Sequence, residues 1–141
     1  MFQKILLATD GSSIADRAAE KALELASEIS DAHITVLHIS SDAPSRTELM
    51  KAHMDVKLVL ESKAHKVIQK TTQRLEEAGA PFALEVGLGE PADKIVKYAK
   101  DHEMELIIIG SRGLGGINSV LLGSVSQRVT QQSSCPVMIV K

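Results

Sequence analysis

The chain has 141 residues, of which 44% are hydrophobic and 24% charged, with a net charge of −2. That length and balance fit one domain over residues 1–141 with a sizeable core. They exclude the basic face that general nucleic-acid binding requires, and a lone cysteine, Cys135, excludes an intramolecular disulfide.

In chain order, Met1 to Lys4 leads into Ile5-Leu6-Leu7-Ala8. This run is too short for a signal segment or a membrane span, so a soluble cytoplasmic protein is expected. A first strand is predicted over Lys4 to Thr9. A helix follows from Ser12 or Ser13, both good N-caps, with Ile14, Ala18, Ala22, Leu25 and Ile29 on one face. The second strand is predicted over His33 to Ile39. Ser40 to Val56 has mixed polarity and reads as an irregular connection or a partner surface. A long helix then carries Leu60, Ala64, Val67, Ile68, Thr71, Leu75 and Ala78. It stops at Gly79, with Pro81 just beyond. The third strand is predicted over Phe82 to Val86, and the next helix opens with Pro91 and carries Ile95, Val96 and Ala99. Glu105 to Ile109 reads as the fourth strand, Ser124 as the start of the last helix, and Val137 to Val140 as the fifth strand. Cys135, in the apolar segment before that strand, reads as a small packing residue.

Continuous apolar strands alternating with helices predict an α/β fold with a parallel sheet and helices on both faces. In such sheets ligands bind beyond the carboxyl ends of the strands, where the strand order reverses. The loops of interest are therefore Asp10-Gly11-Ser12 after the first strand and Gly110 to Gly123 after the fourth.

The second of these loops runs from a buried strand through glycines to a helix start. Glycine lets the backbone approach an anion closely, and the unpaired N–H groups of a helix N-terminus attract it. The competing reading is a glycine-rich turn with ordinary capping and no ligand. Arg112, inside the loop, suits a phosphate, a dimer partner or plain solvation. Asp10 could hold Mg²⁺ or a ribose hydroxyl beside a triphosphate, or could simply form an Asx turn or a helix cap. Aromatic residues are limited to Phe2, Phe82 and Tyr98, so a bound purine would lie between aliphatic side chains.

Other patterns carry less. Gly87-Leu88-Gly89-Glu90-Pro91-Ala92 imitates a dinucleotide fingerprint, but it follows the third strand and puts Glu90 where an anion would sit, so a tight turn is the better reading. The five histidines show no metal-ligand spacing, and His38 reads as a hydrogen-bonded core residue. Neither a Walker sequence nor a G-x-S-x-G elbow occurs. Without a nucleophile–base pair, rapid hydrolysis has no visible machinery.

Ile5-Leu6-Leu7-Ala8-Thr9-Asp10-Gly11-Ser12, Val36-Leu37-His38-Ile39, the G-x2-G-x9-G-[ST] spacing from Gly110 to Ser124 and the closing Ser134-Cys135-Pro136-Val137-Met138-Ile139-Val140 together resemble the universal stress protein family. The glycine–serine spacing resembles its ATP-binding branch. The resemblance covers essentially the whole chain. It implies an open five-stranded parallel sheet in the order 3-2-1-4-5, Rossmann-like and similar to the adenine nucleotide alpha hydrolase arrangement. It also implies a cytoplasmic homodimer through the edge strand Val137 to Val140, ATP as ligand with Mg²⁺ held by Asp10, and a nucleotide-dependent regulatory role in the stress response with slow or no hydrolysis. Carried over by position, Ala8 and Asp10 would meet ribose and adenine. Ile39 would lie against the base and Ile109 against base or ribose, and Gly110, Arg112 and Gly113 would cradle the phosphates. Gly123, Ser124, Val125 and Ser126 would bind them through N–H and hydroxyl groups. Relatives often carry proline where this chain has Ala8, which leaves an additional backbone N–H here.

Three competing functions remain at this level. An adenylyl-transferring enzyme would usually carry a HIGH-type or SGGxDS-type motif, and neither occurs. A phosphoacceptor receiver domain would need a cluster of acids around Asp10 and a lysine near the last strand, where only the terminal Lys141 stands. A ligand-free structural dimer of the same fold is the third.

Overall fold

The computed structural model describes residues 1–112 and 122–141. Five parallel strands, β1 (Lys4–Ala8), β2 (His33–Ser40), β3 (Phe82–Leu88), β4 (Leu106–Gly110) and β5 (Val137–Val140), form one sheet in the order β3-β2-β1-β4-β5. This is the expected α/β architecture and strand order. Between the strands lie α1 (Ser13–Glu28), α2 (Arg46–Lys51), α3 (Val56–Glu77), α4 (Pro91–Asp101) and α5 (Ser124–Gln132).

The sheet is sandwiched between two hydrophobic layers. On one face Ile5, Leu7, Ile34, Val36 and Ile108 pack with Ala18, Ala19 and Ala22 of α1 and Ile68 and Leu75 of α3. On the other, Leu6, Leu37, Ile107 and Ile109 pack with Ala92, Ile95 and Ala99 of α4 and Val129 of α5. Successive residues of a strand point to opposite faces, so β1 feeds both layers at once. Ile5, Leu6 and Leu7 are consequently wholly buried, at about 1.5–3 kcal/mol of burial free energy each. The alanine face of α1 lets that helix lie close to the sheet.

Local signals set most helix ends. Ser12 Oγ accepts the Ala15 N–H at 3.1 Å and starts α1. Asp55 caps α3 by accepting from Leu58 N–H. Gly79 adopts φ +67°, with its N–H donating to the Glu76 carbonyl and the Ala80 N–H reaching back to Leu75. That pair of bonds closes α3 in a Schellman turn. Glu90 occupies the N-terminus of α4, accepting from Asp93 N–H at 2.8 Å. A carboxylate in that position repels an anion, so the Gly87-to-Ala92 pattern is a strand-to-helix turn, as expected.

The elements depart from the sequence reading in β1 to β4, after Ser40 and in α3. Strand β1 ends at Ala8, yet Thr9 N–H still donates to the Leu37 carbonyl. Strands β2 and β3 run on together to Ser40 and Leu88 because they remain paired there. Strand β4 starts at Leu106 and includes Gly110, which pairs with Val140. The segment after Ser40 contains α2, fixed by a reciprocal capping box between Ser45 and Glu48. Within that segment Met50 and Met54 are exposed. Val67, expected on the buried face of α3, is half-exposed, next to a kink of α3 at Ile68.

That kink fits the β1–α1 loop. Gly11 has φ +80°, and a Cβ added there would lie 2.4 Å from the Val67 carbonyl oxygen. Both the backbone conformation and the space demand glycine. Gly11→Ala should lower unfolding free energy by at least about 2 kcal/mol, from left-handed strain plus the clash. A urea midpoint equal to that of the unmodified chain would contradict this packing.

Candidate functional site

Strand order 3-2-1-4-5 brings the carboxyl ends of β1 and β4 side by side, with their connections leaving to opposite faces of the sheet. A cavity of about 460 Å³ opens there. Ala8, Asp10, Ile39, Ile109, Gly110, Arg112, Gly123, Ser124, Val125 and Ser126 all line it. These are the expected site residues with one exception: Gly113 lies outside the described residues. Six lining residues were not expected at the site from the sequence: Thr9, Ala15, Leu37, Ser41, Pro91 and Ile95. Pro91 and Ile95 are ordinary helix residues by pattern, and only the packing of α4 over β2 brings them here.

The cavity has two chemically distinct ends. Over β1 and β2 it is aliphatic, formed by Ala8, Leu37, Ile39, Ile95 and Ile109. Over β4 it meets the N-terminus of α5. Helices α1, α2, α3 and α4 each begin with a side chain accepting a backbone N–H, whereas α5 begins at Gly123 with no side-chain cap bond. The first turn of α5 thus presents N–H groups and the positive end of the helix dipole to the cavity. An adenine nucleotide fits this polarity: an apolar slot for the base and a set of N–H donors for phosphate.

Ser126 has a different task from the one expected. Its hydroxyl is buried and donates to the Gly110 carbonyl at 2.7 Å, with the Ser111 carbonyl at 3.1 Å. A hydroxyl has one proton, so in this arrangement Ser126 ties α5 to the end of β4 and can offer an anion its N–H alone. Ser124, exposed at the first position of α5, has no such duty. Two further bonds complete the junction: Gly123 N–H to the Ser111 carbonyl at 2.6 Å, and Ser111 N–H to the Val140 carbonyl at 2.7 Å.

Gly110 matters for packing as well as for the loop. A Cβ there would stand 2.7 Å from Ile14 Cγ2 and 3.4 Å from Ala15 N. Its missing side chain therefore lets the start of α1 press against the end of β4. On the β1 side, the Asp10 carboxylate accepts the Ser12 N–H at 3.0 Å, and Thr9 Oγ1 accepts the Gly11 N–H at 3.2 Å. This is the Asx turn weighed from the sequence, and it holds Asp10 on the cavity wall. His38 Nδ1–H donates to the Thr9 carbonyl at 2.9 Å. It is the hydrogen-bonded histidine expected, and it braces the same loop from β2.

A salt bridge spans the two helices that flank the cavity. Arg128 of α5 reaches Asp93 at 2.8 Å and Glu90 at 3.3 Å, both at the start of α4. All three side chains are largely exposed, so the pair adds little stability. Among the described residues no group of three or more His, Cys, Asp or Glu could hold a metal ion. Nor is any helix among them long and apolar enough to cross a membrane.

The sequence matches that of the universal stress protein family over residues 1–141. It is 32% identical to the universal stress protein YxiE of Bacillus subtilis, with both chains covered in full. Its fold is similar to that of the universal stress protein UspA from Lactobacillus plantarum, at a TM-score of 0.79 and 25% identity, covering 99% of this chain and 98% of the other. It is also similar to an Arabidopsis thaliana member whose structure was determined with AMP bound, at a TM-score of 0.67 and 25% identity, covering 99% and 91%.

The Ser126 junction can be tested alone. Ser126→Ala should cost about 1–3 kcal/mol of unfolding free energy, since it leaves a buried carbonyl without its donor. Chemical denaturation checks this, and an unchanged midpoint would mean the bond is not formed.

Proposed function

The chain belongs to the universal stress protein family, and from that premise we propose that it is an ATP-binding regulatory protein. The observation that carries the reading is the pairing, in one cavity, of an aliphatic slot with a helix N-terminus that lacks a side-chain cap. In this reading adenine lies between Ile39 and Ile109, and ribose sits near Ala8 and Asp10. The triphosphate runs toward Gly110, Arg112, Gly113, Gly123 and the N–H groups of Ser124 to Ser126, with the Ser124 hydroxyl adding a donor. The AMP-bound Arabidopsis member supports the same ligand class for a chain of this fold.

Mg²⁺ enters with the nucleotide. Asp10 would supply a carboxylate ligand to it, and the ion would neutralise phosphate charge. Hydrolysis is slow or absent in this reading: the Ser126 hydroxyl is committed to the Gly110 carbonyl, and His38, which braces the Thr9 carbonyl, is not among the residues that line the cavity. No base stands beside a nucleophile there. Nucleotide occupancy acts as the signal, in the cytoplasm, as part of a stress response, and the exposed methionines of the α2 region offer a surface for a protein partner.

The protein in this reading works as a homodimer through β5. The Pro136 carbonyl accepts from Ile107 of β4 and the Val140 carbonyl from Ser111 just beyond it, so the alternation of a strand turns the N–H and C=O groups of Val137 and Ile139 to the outer edge. A bare apolar edge invites pairing, and a two-fold copy of the same strand satisfies it without open-ended growth.

Two measurements test the proposal. Gly123→Val, which places a branched side chain at the anion end, should weaken ATP binding in calorimetry by at least about tenfold, or 1.4 kcal/mol, with the far-ultraviolet circular dichroism unchanged. Equal affinity would refute the phosphate placement. Ile139→Pro removes an outward N–H without touching a β4 bond, and it should give a folded monomer in analytical ultracentrifugation. A persistent dimer would refute the β5 interface.

A further inference from the structure

Strands β2 and β3 pair so that Gly87 lies directly beside Ile39, on the same face of the sheet. Ile39 lines the aliphatic end of the main cavity, and on its other side it lines a second, shallower groove of about 200 Å³ between β3 and α4. Its side chain is therefore part of the partition between the two. A Cβ built on Gly87 would stand 2.9 Å from Ile39 Cδ1, and it would meet no other described atom within 4 Å beyond its chain neighbours. Carbon atoms in contact prefer about 3.5–4.0 Å, so the methyl of Ile39 would have to move. Gly87 is not among the glycines with positive φ, so its backbone does not require glycine. What it supplies is space.

We infer that Gly87 is a specificity-determining position of the nucleotide site, acting through Ile39. It leaves room for the Ile39 δ-methyl on the β3 side and so fixes the width of the slot for an adenine-sized base. The strand order β3-β2-β1 gives the direction of the effect. A side chain at Gly87 pushes Ile39 away from β3 and toward β1, over Ala8 and into the main cavity. The anion end, across β4, is untouched. A larger residue at position 87 would demand a smaller one at position 39. This inference rests on the reading of the aliphatic end as the base site.

The test uses the full chain with Gly87→Ala, Ile39→Val, and the two combined. ATP affinity is measured by calorimetry, and inorganic tripolyphosphate binding by the shift of the Ser124 amide in NMR. Gly87→Ala should lower ATP affinity by about tenfold while tripolyphosphate changes by less than about threefold. Ile39→Val in the same chain, which removes the δ-methyl, should restore ATP affinity to within about threefold of the unmodified protein. Unchanged ATP affinity in Gly87→Ala overturns the inference, as does equal loss of ATP and tripolyphosphate or a failure of Ile39→Val to rescue. If the unmodified chain binds no ATP, the base-site reading and this inference both fall. If it binds ATP and Gly87→Ala makes no difference, only the inference does.

Discussion

The short bond from the Ser126 hydroxyl to the Gly110 carbonyl fixes the start of α5 against the end of β4. The candidate site depends on that junction. A helix dipole acts over about one turn, so an anion gains from α5 only if its first residues stand at the mouth of the cavity. Ser126 holds them there, with Gly123 bonded to Ser111 and Ser111 bonded to Val140 behind it. The same chain of bonds reaches β5, so the proposed nucleotide end and the proposed dimer edge rest on one stretch of hydrogen-bonded backbone.

The opposite wall is built differently. There the β1–α1 loop is held by steric fit and short local bonds. Gly11 fits against Val67 with no room for a Cβ, Asp10 accepts from Ser12, and His38 braces the Thr9 carbonyl. Gly110 adds close packing of α1 on β4. The cavity thus lies between the β1–α1 loop and the start of α5, each fixed to the sheet, which favours a preformed site over one assembled on binding.

Much of this was legible in the sequence because the deciding signals are local or periodic. Buried parallel strands read as continuous apolar runs, Gly79 as a helix stop and Pro91 as a helix start. The alternation of strands and helices gave the class, and the family resemblance gave the order 3-2-1-4-5. The glycine–serine spacing pointed to Gly110, Gly123 and Ser124, which line the cavity. Helix α2 escaped because none of its residues is buried, so it leaves no hydrophobic period, although Ser45 and Glu48 stand at capping-box spacing. The role of Ser126 was out of reach for another reason. Spacing places a serine in the first turn of a helix, but only tertiary geometry says whether its proton goes to a ligand or to Gly110. Leu37, Pro91 and Ile95 line the cavity through the packing of α4 on β2, which no local pattern encodes.

The cavity joins an aliphatic end to the uncapped start of α5, and the Ser126 hydroxyl beside it is engaged with the Gly110 carbonyl. The proposed function follows from that layout. The central claim is that the start of α5 receives the phosphates while Ile39 and Ile109 receive the base. Backbone amide NMR during an ATP titration tests it most directly. The account predicts saturable shifts largest at Gly123, Ser124, Val125 and Ser126 and at Ile39 and Ile109, with Gly79 at the far end of α3 unmoved. Saturable shifts that leave the first turn of α5 unchanged, or no saturable shifts at all, would contradict it.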